Sequence, residues 1–145
     1  MSGNTIQMKK YIVNFIQFNI NENFRPDNAT AIKLMPTFNK TITKVNDNTA
    51  VVKLGISIAQ TDYPLPFTLS AAVSGVFELE NWAMDAGRTL AMEDTALIIL
   101  YPYLRALVSN VTANASIPPY FLPIINIVDI FRKPKTTPPI NTTLQ

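Results

Sequence analysis

The chain is 145 residues long and carries a formal net charge of +2, so it has the length of one domain and too little positive charge to indicate a nucleic-acid-binding protein. It contains no cysteine and no histidine, which excludes disulfides, thiol nucleophiles, cysteine–histidine zinc sites and histidine acid–base catalysis. Charged residues are only 15% of the chain and hydrophobic residues 48%, so we expect some surface to be covered by an oligomeric partner or kept apolar for binding.

The first part of the chain is polar. Lys9 and Lys10 precede a stretch in which Asn14, Gln17 and Asn19 interrupt the apolar residues. No run of about 18 uninterrupted apolar residues, the length that a membrane span needs, occurs in the sequence. We therefore predict no signal peptide, no membrane span and a cytoplasmic location.

Strand patterns fill the first half of the chain. The first predicted strand starts at Tyr11 and alternates apolar and polar residues from Ile16 onward. An irregular crossover at 29–39 follows, and a second strand begins near Thr41. A turn at 46–48 leads into the next strand pattern.

Two further strands follow, at 52–58 and 67–77, and the last of these has apolar residues on one face and small residues on the other. A long helix is predicted from about Asp94 to Asn114, because leucines and valines recur at helical spacing. Carboxylates at its expected start would suit the helix dipole. A short second helix is predicted at 125–131.

Strands followed by helices are typical of the α+β class. We predict one domain, residues 1–131, in which a four-stranded antiparallel sheet is covered on one face by the long helix and the short C-terminal helix. Residues 132–145 contain three prolines and are predicted to form a flexible tail.

Two proline-containing motifs lie in the second half of the chain. A proline inside a helix costs about 3 kcal/mol, so simple packing would not select one there. In their order and spacing, the two motifs resemble the SecB protein-export chaperone family, which has a Phe-Pro-Tyr-x-Arg helix followed by a proline loop ending in asparagine. The matching residues of this chain are Tyr101, Pro102, Tyr103 and Arg105 in the helix and Pro118 and Asn126 in the loop. Residues 75–77 also resemble the family's Gly-[Ile/Val]-Phe motif.

The resemblance implies a homotetramer, built as a dimer of dimers, with helices packed between the dimers and apolar grooves on the outside. Unfolded or partly folded client proteins would lie in these grooves without ATP or any other cofactor, held by apolar burial and by backbone pairing. By position, the residues that the resemblance places in the groove are Leu34, Phe67, Leu69, Ala71, Val73, Leu122, Ile124 and Ile127.

Some of these residues have a second interpretation. For Phe67, Leu69 and Val73, packing in an ordinary sheet core explains the pattern as well as groove lining does. Pro102 and Arg105 are better explained by a structural role than by a direct one in binding, with Arg105 paired to a carboxylate at the helix interface.

The resemblance also implies delivery of clients to the translocase motor SecA through an acidic patch on the sheet. The corresponding positions carry no carboxylate; they are Gln17, Asn21, Thr68 and Ser70. The segment 132–135 is basic. This departure argues against SecA docking, because lost negative charge weakens attraction to a basic partner. A chaperone of the same type dedicated to one client, such as an antitoxin, is the alternative.

An enzyme or small-ligand-binding protein is the remaining class. Its only candidate groups are pairs, namely Glu78 with Glu80, Glu93 with Asp94, and Tyr101 with Tyr103. They form no nucleophile–base arrangement, and the few glycines form no phosphate-binding motif. We therefore predict that the chain is not an enzyme and holds no metal or cofactor.

Overall fold

The computed structural model describes residues 5–24, 32–34, 36–59, 65–115, 122–123, 125–132 and 140–142. In chain order its elements are β1 (Gln7–Ile20), β2 (Ile32–Leu34), β3 (Thr37–Asn46), β4 (Thr49–Ile58), β5 (Phe67–Glu78), α1 (Ala86–Ala113), α2 (Ile127–Arg132) and β6 (Ile140–Thr142). Four strands form one antiparallel sheet in the order β1-β5-β4-β3, and β2 pairs with β6 separately. α1 packs on β4 and β5, and α2 packs on α1. The predicted α+β architecture is confirmed.

The sheet has one face that α1 covers and one that is open. Alternate side chains of β4 and β5 pack with the buried residues of α1 in a single apolar cluster. These strand residues are Ala50, Val52, Leu54, Ile56 and Ile58 on β4 and Phe67, Leu69, Ala71, Val73 and Phe77 on β5. We call this side of the sheet the inner face and the opposite side the outer face. Removal of this apolar surface from water holds the helix on the sheet.

A close approach at Gly75 shapes the end of β5. A Cβ atom at this position would lie 2.6 Å from the ring of Phe77 and 3.1 Å from the sulfur of Met8. Met8 and Phe77 are cross-strand partners, so both side chains lie on the inner face beside Gly75. The glycine therefore leaves room for the buried Phe77 ring.

The predicted start of the long helix at Asp94 is wrong, because α1 already begins at Ala86. Asp85 is its N-cap: its backbone is extended, and its side chain accepts a 2.8 Å hydrogen bond from the N–H of Arg88. Aspartate is among the strongest N-cap residues. Gly87, a weak helix former in the first turn, hides this start in the sequence.

The boundaries of the first strands also differ from the prediction. β1 begins at Gln7 rather than Tyr11, and the crossover contains the short strand β2 and the beginning of β3 at Thr37. Part of the predicted flexible tail, residues 140–142, is strand β6. This pairing uses backbone groups of three residues, so no apolar alternation marks it in the sequence.

α1 has the length and apolar composition that a membrane span would need. Eight of its residues are buried in the protein, among them Met92, Leu97 and Leu104. Helices that pack in the core of a domain have the same two properties, and the buried face of α1 is part of the core cluster.

Candidate functional site

A groove of about 360 Å³ runs between α1 and the segment that leads into α2. Its walls come from the two proline-containing motifs of the sequence. The lining residues are Ile98, Tyr101, Pro102, Arg105, Ile125, Asn126 and Ile127. Most of this surface is apolar, and the polar groups stand at a few positions, which is the usual composition of a binding groove.

Two side chains of α1 hold the segment before α2 in place. The hydroxyl of Tyr101 donates to the carbonyl oxygen of Pro123 at 2.7 Å, and Nε of Arg105 donates to the carbonyl oxygen of Leu122 at 2.6 Å. Burial raises the pKa of Tyr101 to about 12, against the opposing effect of the Arg105 guanidinium. The hydroxyl therefore remains a proton donor at neutral pH.

The predicted partner of Arg105 is a carboxylate at the helix interface, and within the described part of one chain Arg105 contacts a backbone carbonyl instead. In the described part of the chain its partner is the backbone carbonyl of Leu122, and no carboxylate lies within ion-pair distance. Prolines cannot donate a backbone hydrogen bond, so a proline-containing segment needs donors from elsewhere for its carbonyl groups. The guanidinium supplies one.

Pro102 leaves a backbone acceptor at the wall of the groove. α1 continues through Pro102 to Ala113. Proline has no N–H, so the carbonyl of Ile98, four residues earlier, lacks its usual helical partner. Ile98 and Pro102 both line the groove. The helix wall of the groove is therefore apolar and contains a backbone carbonyl that has no donor at residue 102.

Asn126 caps α2. Its side-chain oxygen accepts a 3.1 Å hydrogen bond from the N–H of Val128, and its carbonyl accepts one from the N–H of Asp129. Asparagine is a favoured N-cap residue. The asparagine of the loop motif therefore fixes the direction in which α2 leaves the groove.

Ion pairs hold α2 and β3 to α1. Glu93 pairs with Lys40 of β3, and Asp94 pairs with Arg132 at the end of α2. The Lys40 ammonium also lies 5.0 Å from the centre of the Phe131 ring. The sequence predicts that the two carboxylates mark a helix start, and they instead connect α1 with β3 and with α2.

Most residues predicted to line a groove are buried in the core. Seven of them are at most 2% exposed: Leu34, Phe67, Leu69, Ala71, Val73, Leu122 and Ile127. Their burial agrees with the core-packing interpretation given above for the β5 residues. Of these seven, Ile127 alone borders the groove beside Pro102. Ile124 and Pro118 lie outside the described residues.

The helix motif divides between two surfaces. Tyr101, Pro102 and Arg105 meet Asn126 at the groove. Tyr103 instead points toward β1, where its ring packs on Tyr11 with centroids 4.5 Å apart. The sequence therefore identified the motif, but it did not separate the groove side of the helix from the β1 side.

An exposed apolar surface on β1 was missed by the sequence reasoning. β1 is an edge strand, and four of its large apolar side chains are 36–46% exposed; they are Val13, Phe15, Ile16 and Ile20. A bulge between Val13 and Phe15 leaves Val13 and Ile16 on the inner face and Phe15 on the outer face. The consecutive apolar residues at 12–13 and 15–16 were the available signal, because they indicate apolar groups on both faces.

The outer face carries little negative charge. Glu78 is the only carboxylate in β1, β3, β4 and β5, and it lies 3.7 Å from the Lys9 ammonium at the end of β5. Lys10 and Lys53 are on the outer face, where Lys53 lies 5.8 Å from the Phe15 ring centre. The positions predicted for an acidic patch that lie on this face are Gln17, Thr68 and Ser70.

Groups considered for an enzyme do not converge on a site. Glu93 and Asp94 are in ion pairs with different elements, and Tyr101 is bound to the Pro123 carbonyl. Within the described ranges, no cluster of three carboxylates could hold a metal ion.

The sequence and fold match a known family. A family model described as preprotein translocase subunit SecB matches residues 7–137. The chain belongs to the SecB family. The resemblance carried by the two proline motifs is thereby confirmed.

Two similar proteins differ in how much of the chain they cover. The chain is 33% identical over 144 residues to the uncharacterized protein MJ0357 of Methanocaldococcus jannaschii, and this alignment covers 97% of the chain and 91% of that protein. It is 31% identical over 67 residues to the protein-export protein SecB of Afipia carboxidovorans. This alignment covers 46% of the chain and 41% of that protein.

Solved structures share the SecB-like fold. The SecB-like chaperone Rv1957 of Mycobacterium tuberculosis, in complex with a ChAD peptide from the Rv1956 HigA1 antitoxin, gives a TM-score of 0.65 at 16% identity, with 83% of this chain and 90% of that chain covered. A protein of unknown function from Streptococcus agalactiae gives 0.51 at 14% identity, with 83% and 98% covered. Family and fold together indicate a chaperone.

Proposed function

We propose that the chain is an ATP-independent holdase chaperone, which binds extended segments of unfolded client proteins at the groove beside Pro102. The apolar wall of the groove is the observation that carries this proposal, and we propose further that the Ile98 carbonyl, which has no donor at residue 102, accepts a hydrogen bond from a client N–H. Apolar burial contributes about 25 cal/mol per Å², and a backbone acceptor pairs with any peptide N–H. Neither interaction depends strongly on the amino-acid sequence of the client. A chaperone that holds many different unfolded chains needs this low specificity.

The bound peptide of the M. tuberculosis relative supports this proposal. That SecB-like chaperone is in complex with a peptide from an antitoxin. A chaperone that binds only the unfolded form of a client shifts its folding equilibrium by mass action, without a nucleotide cycle.

Self-association would cover the remaining apolar surfaces. Among the described residues, β1 has exposed apolar side chains and a second strand edge with no strand partner, while α1 exposes Leu90 and Tyr103 outside the groove. Edge strands of this kind pair readily with another strand. β3, the opposite edge, carries Lys40 and Lys44, which discourage such pairing. We propose a homotetramer, a dimer of dimers, assembled through β1 and α1.

Two classes of client remain, namely preproteins delivered to the translocase for export and a single dedicated client such as an antitoxin. The low negative charge of the outer face argues against docking to SecA, and it therefore favours a dedicated client over export. Its single carboxylate, Glu78, lies beside Lys9, and Lys10 and Lys53 add positive charge. A basic SecA segment would therefore find little attraction there.

The test is suppression of client aggregation at stoichiometric amounts of chaperone. Ile98 and Val45 are both 57% exposed, and only Ile98 lines the groove. Ile98→Glu should abolish most of the protection, whereas the matched control Val45→Glu should retain it, with the oligomer mass of each variant measured in parallel. Failure of the unmodified protein to slow aggregation would overturn the proposal.

A further inference from the structure

The β2–β6 pair joins the crossover to the C-terminal segment. Ile32, Lys33 and Leu34 of β2 are the cross-strand partners of Thr142, Asn141 and Ile140 of β6. This pair is separate from the four-stranded sheet. The edge of β2 is thus filled by an extended segment of the same chain.

Buried residues anchor β2 in the core. Leu34 is fully buried in the core cluster, and Pro36 just after it is also buried. Within the described ranges, β2 and β6 contact each other more extensively than either strand contacts the helices or the large sheet. The pairing with β2 is therefore the main interaction that holds β6, whereas β2 has a second anchor in Leu34.

Several features make the β6 pairing weak. It has only three residue pairs, and an isolated two-stranded pair is marginally stable in water. Pro138 and Pro139 precede β6 and have no N–H to extend the ladder. A short tether nevertheless gives β6 an effective concentration of the order of millimolar at β2.

We propose that β6 is an intramolecular competitor that occupies the β2 edge and yields it to an extended segment of a client. This inference rests on the holdase function proposed above. Backbone pairing at a strand edge accepts almost any extended sequence, so the chain's own segment and a client compete for the same N–H and carbonyl groups. β6 would protect the edge when no client is present, and its tethered concentration would set a threshold for client binding.

The experiment compares backbone variants of β6 in the full-length chain. Successive N–H groups of a strand point to opposite edges. One of the two variants Asn141→Pro and Thr142→Pro therefore removes an N–H that faces β2, and the other is the control, because it introduces a proline without removing such an N–H. A deletion of residues 140–145 removes β6, and a deletion of 143–145 is its matched control. Amide hydrogen exchange at 32–34 reports the pairing itself, and anisotropy of a labelled, permanently unfolded protein reports client affinity.

Removal of β6 should increase client affinity about two- to fivefold, as expected for release of a marginally stable pair. Exchange at 32–34 should quicken in the same variants and in neither control. A labelled peptide of residues 138–145 should bind the 140–145 deletion and be displaced by client. Equal client affinity in all variants would overturn this inference and leave the holdase function standing. Absence of client binding in every variant would overturn both.

Discussion

The Tyr101 hydroxyl donates a 2.7 Å hydrogen bond to the Pro123 carbonyl oxygen, and this bond joins the two proline-containing motifs of the sequence. Arg105, four residues further along α1, makes the equivalent bond to the adjacent carbonyl of Leu122. Residues four apart lie on one face of a helix, so the spacing of Tyr101 and Arg105 matches two successive carbonyl groups. The helix motif therefore supplies the hydrogen-bond donors for two backbone carbonyl groups of the proline loop.

Tyr101→Phe should lower the free energy of unfolding by about 1 kcal/mol, because the substitution removes the donor and leaves the Pro123 carbonyl without it. Urea denaturation at neutral pH measures the change. Tyr103→Phe is the control, since the Tyr103 hydroxyl makes no hydrogen bond among the described residues and its ring contact with Tyr11 is retained. Equal effects of the two substitutions would contradict the assignment.

Stability should also depend on pH through Tyr101. The pKa of this hydroxyl is raised by burial from 10.0 to about 12 in the folded chain. Between these values the unfolded chain loses the proton and the folded chain keeps it, so the contribution to stability is complete below pH 10.0 and is lost as the pH rises toward about 12. The difference in unfolding free energy between the wild type and Tyr101→Phe should shrink over this range. A difference independent of pH would exclude a raised pKa.

Pro102→Ala should separate stability from binding. The alanine N–H restores a helical partner for the Ile98 carbonyl, and the free energy of unfolding should rise by about 1–3 kcal/mol. Client affinity should fall about three- to tenfold, because the acceptor at the groove is then occupied within the helix. Asn110→Ala, an exposed change that also raises helix propensity, should leave affinity unchanged. Unchanged affinity in Pro102→Ala would show that the carbonyl takes no part in binding.

Gly75→Ala should destabilise the fold by about 1–3 kcal/mol, because its Cβ would meet the Phe77 ring at 2.6 Å. Thermal or urea unfolding measures the loss. The smaller side chain of Phe77→Leu should accommodate the added methyl group, so the double variant should be less destabilised than the sum of the single ones. If the losses in unfolding free energy were additive, the strain in Gly75→Ala would not come from contact with the Phe77 ring.

Apolar alternation and the two motifs predicted most of the fold from sequence. The strands β4 and β5 follow a period of two, and Pro102 together with the loop prolines placed the chain in its family. The start of α1 was missed because its N-cap, Asp85, is followed by the weak helix former Gly87. Strand β6 was missed because three backbone pairs leave no pattern of side chains.

The site was harder to predict than the fold. Alternation shows that Phe67 and Leu69 share a face of β5, but it does not say whether that face meets a helix or a client, and in this chain α1 covers it. The groove depends instead on the bonds from Tyr101 and Arg105 to backbone carbonyls. Every residue has a backbone carbonyl that can accept a hydrogen bond. The sequence pattern therefore does not show which carbonyl groups Tyr101 and Arg105 contact.

The solution mass, measured by light scattering with and without a permanently unfolded client protein, tests the holdase proposal most directly. The proposal predicts a tetramer of about 64 kDa, four chains of 16.1 kDa, whose mass increases when the client is added. A particle of 16.1 kDa whose mass is unaffected by the client would contradict it.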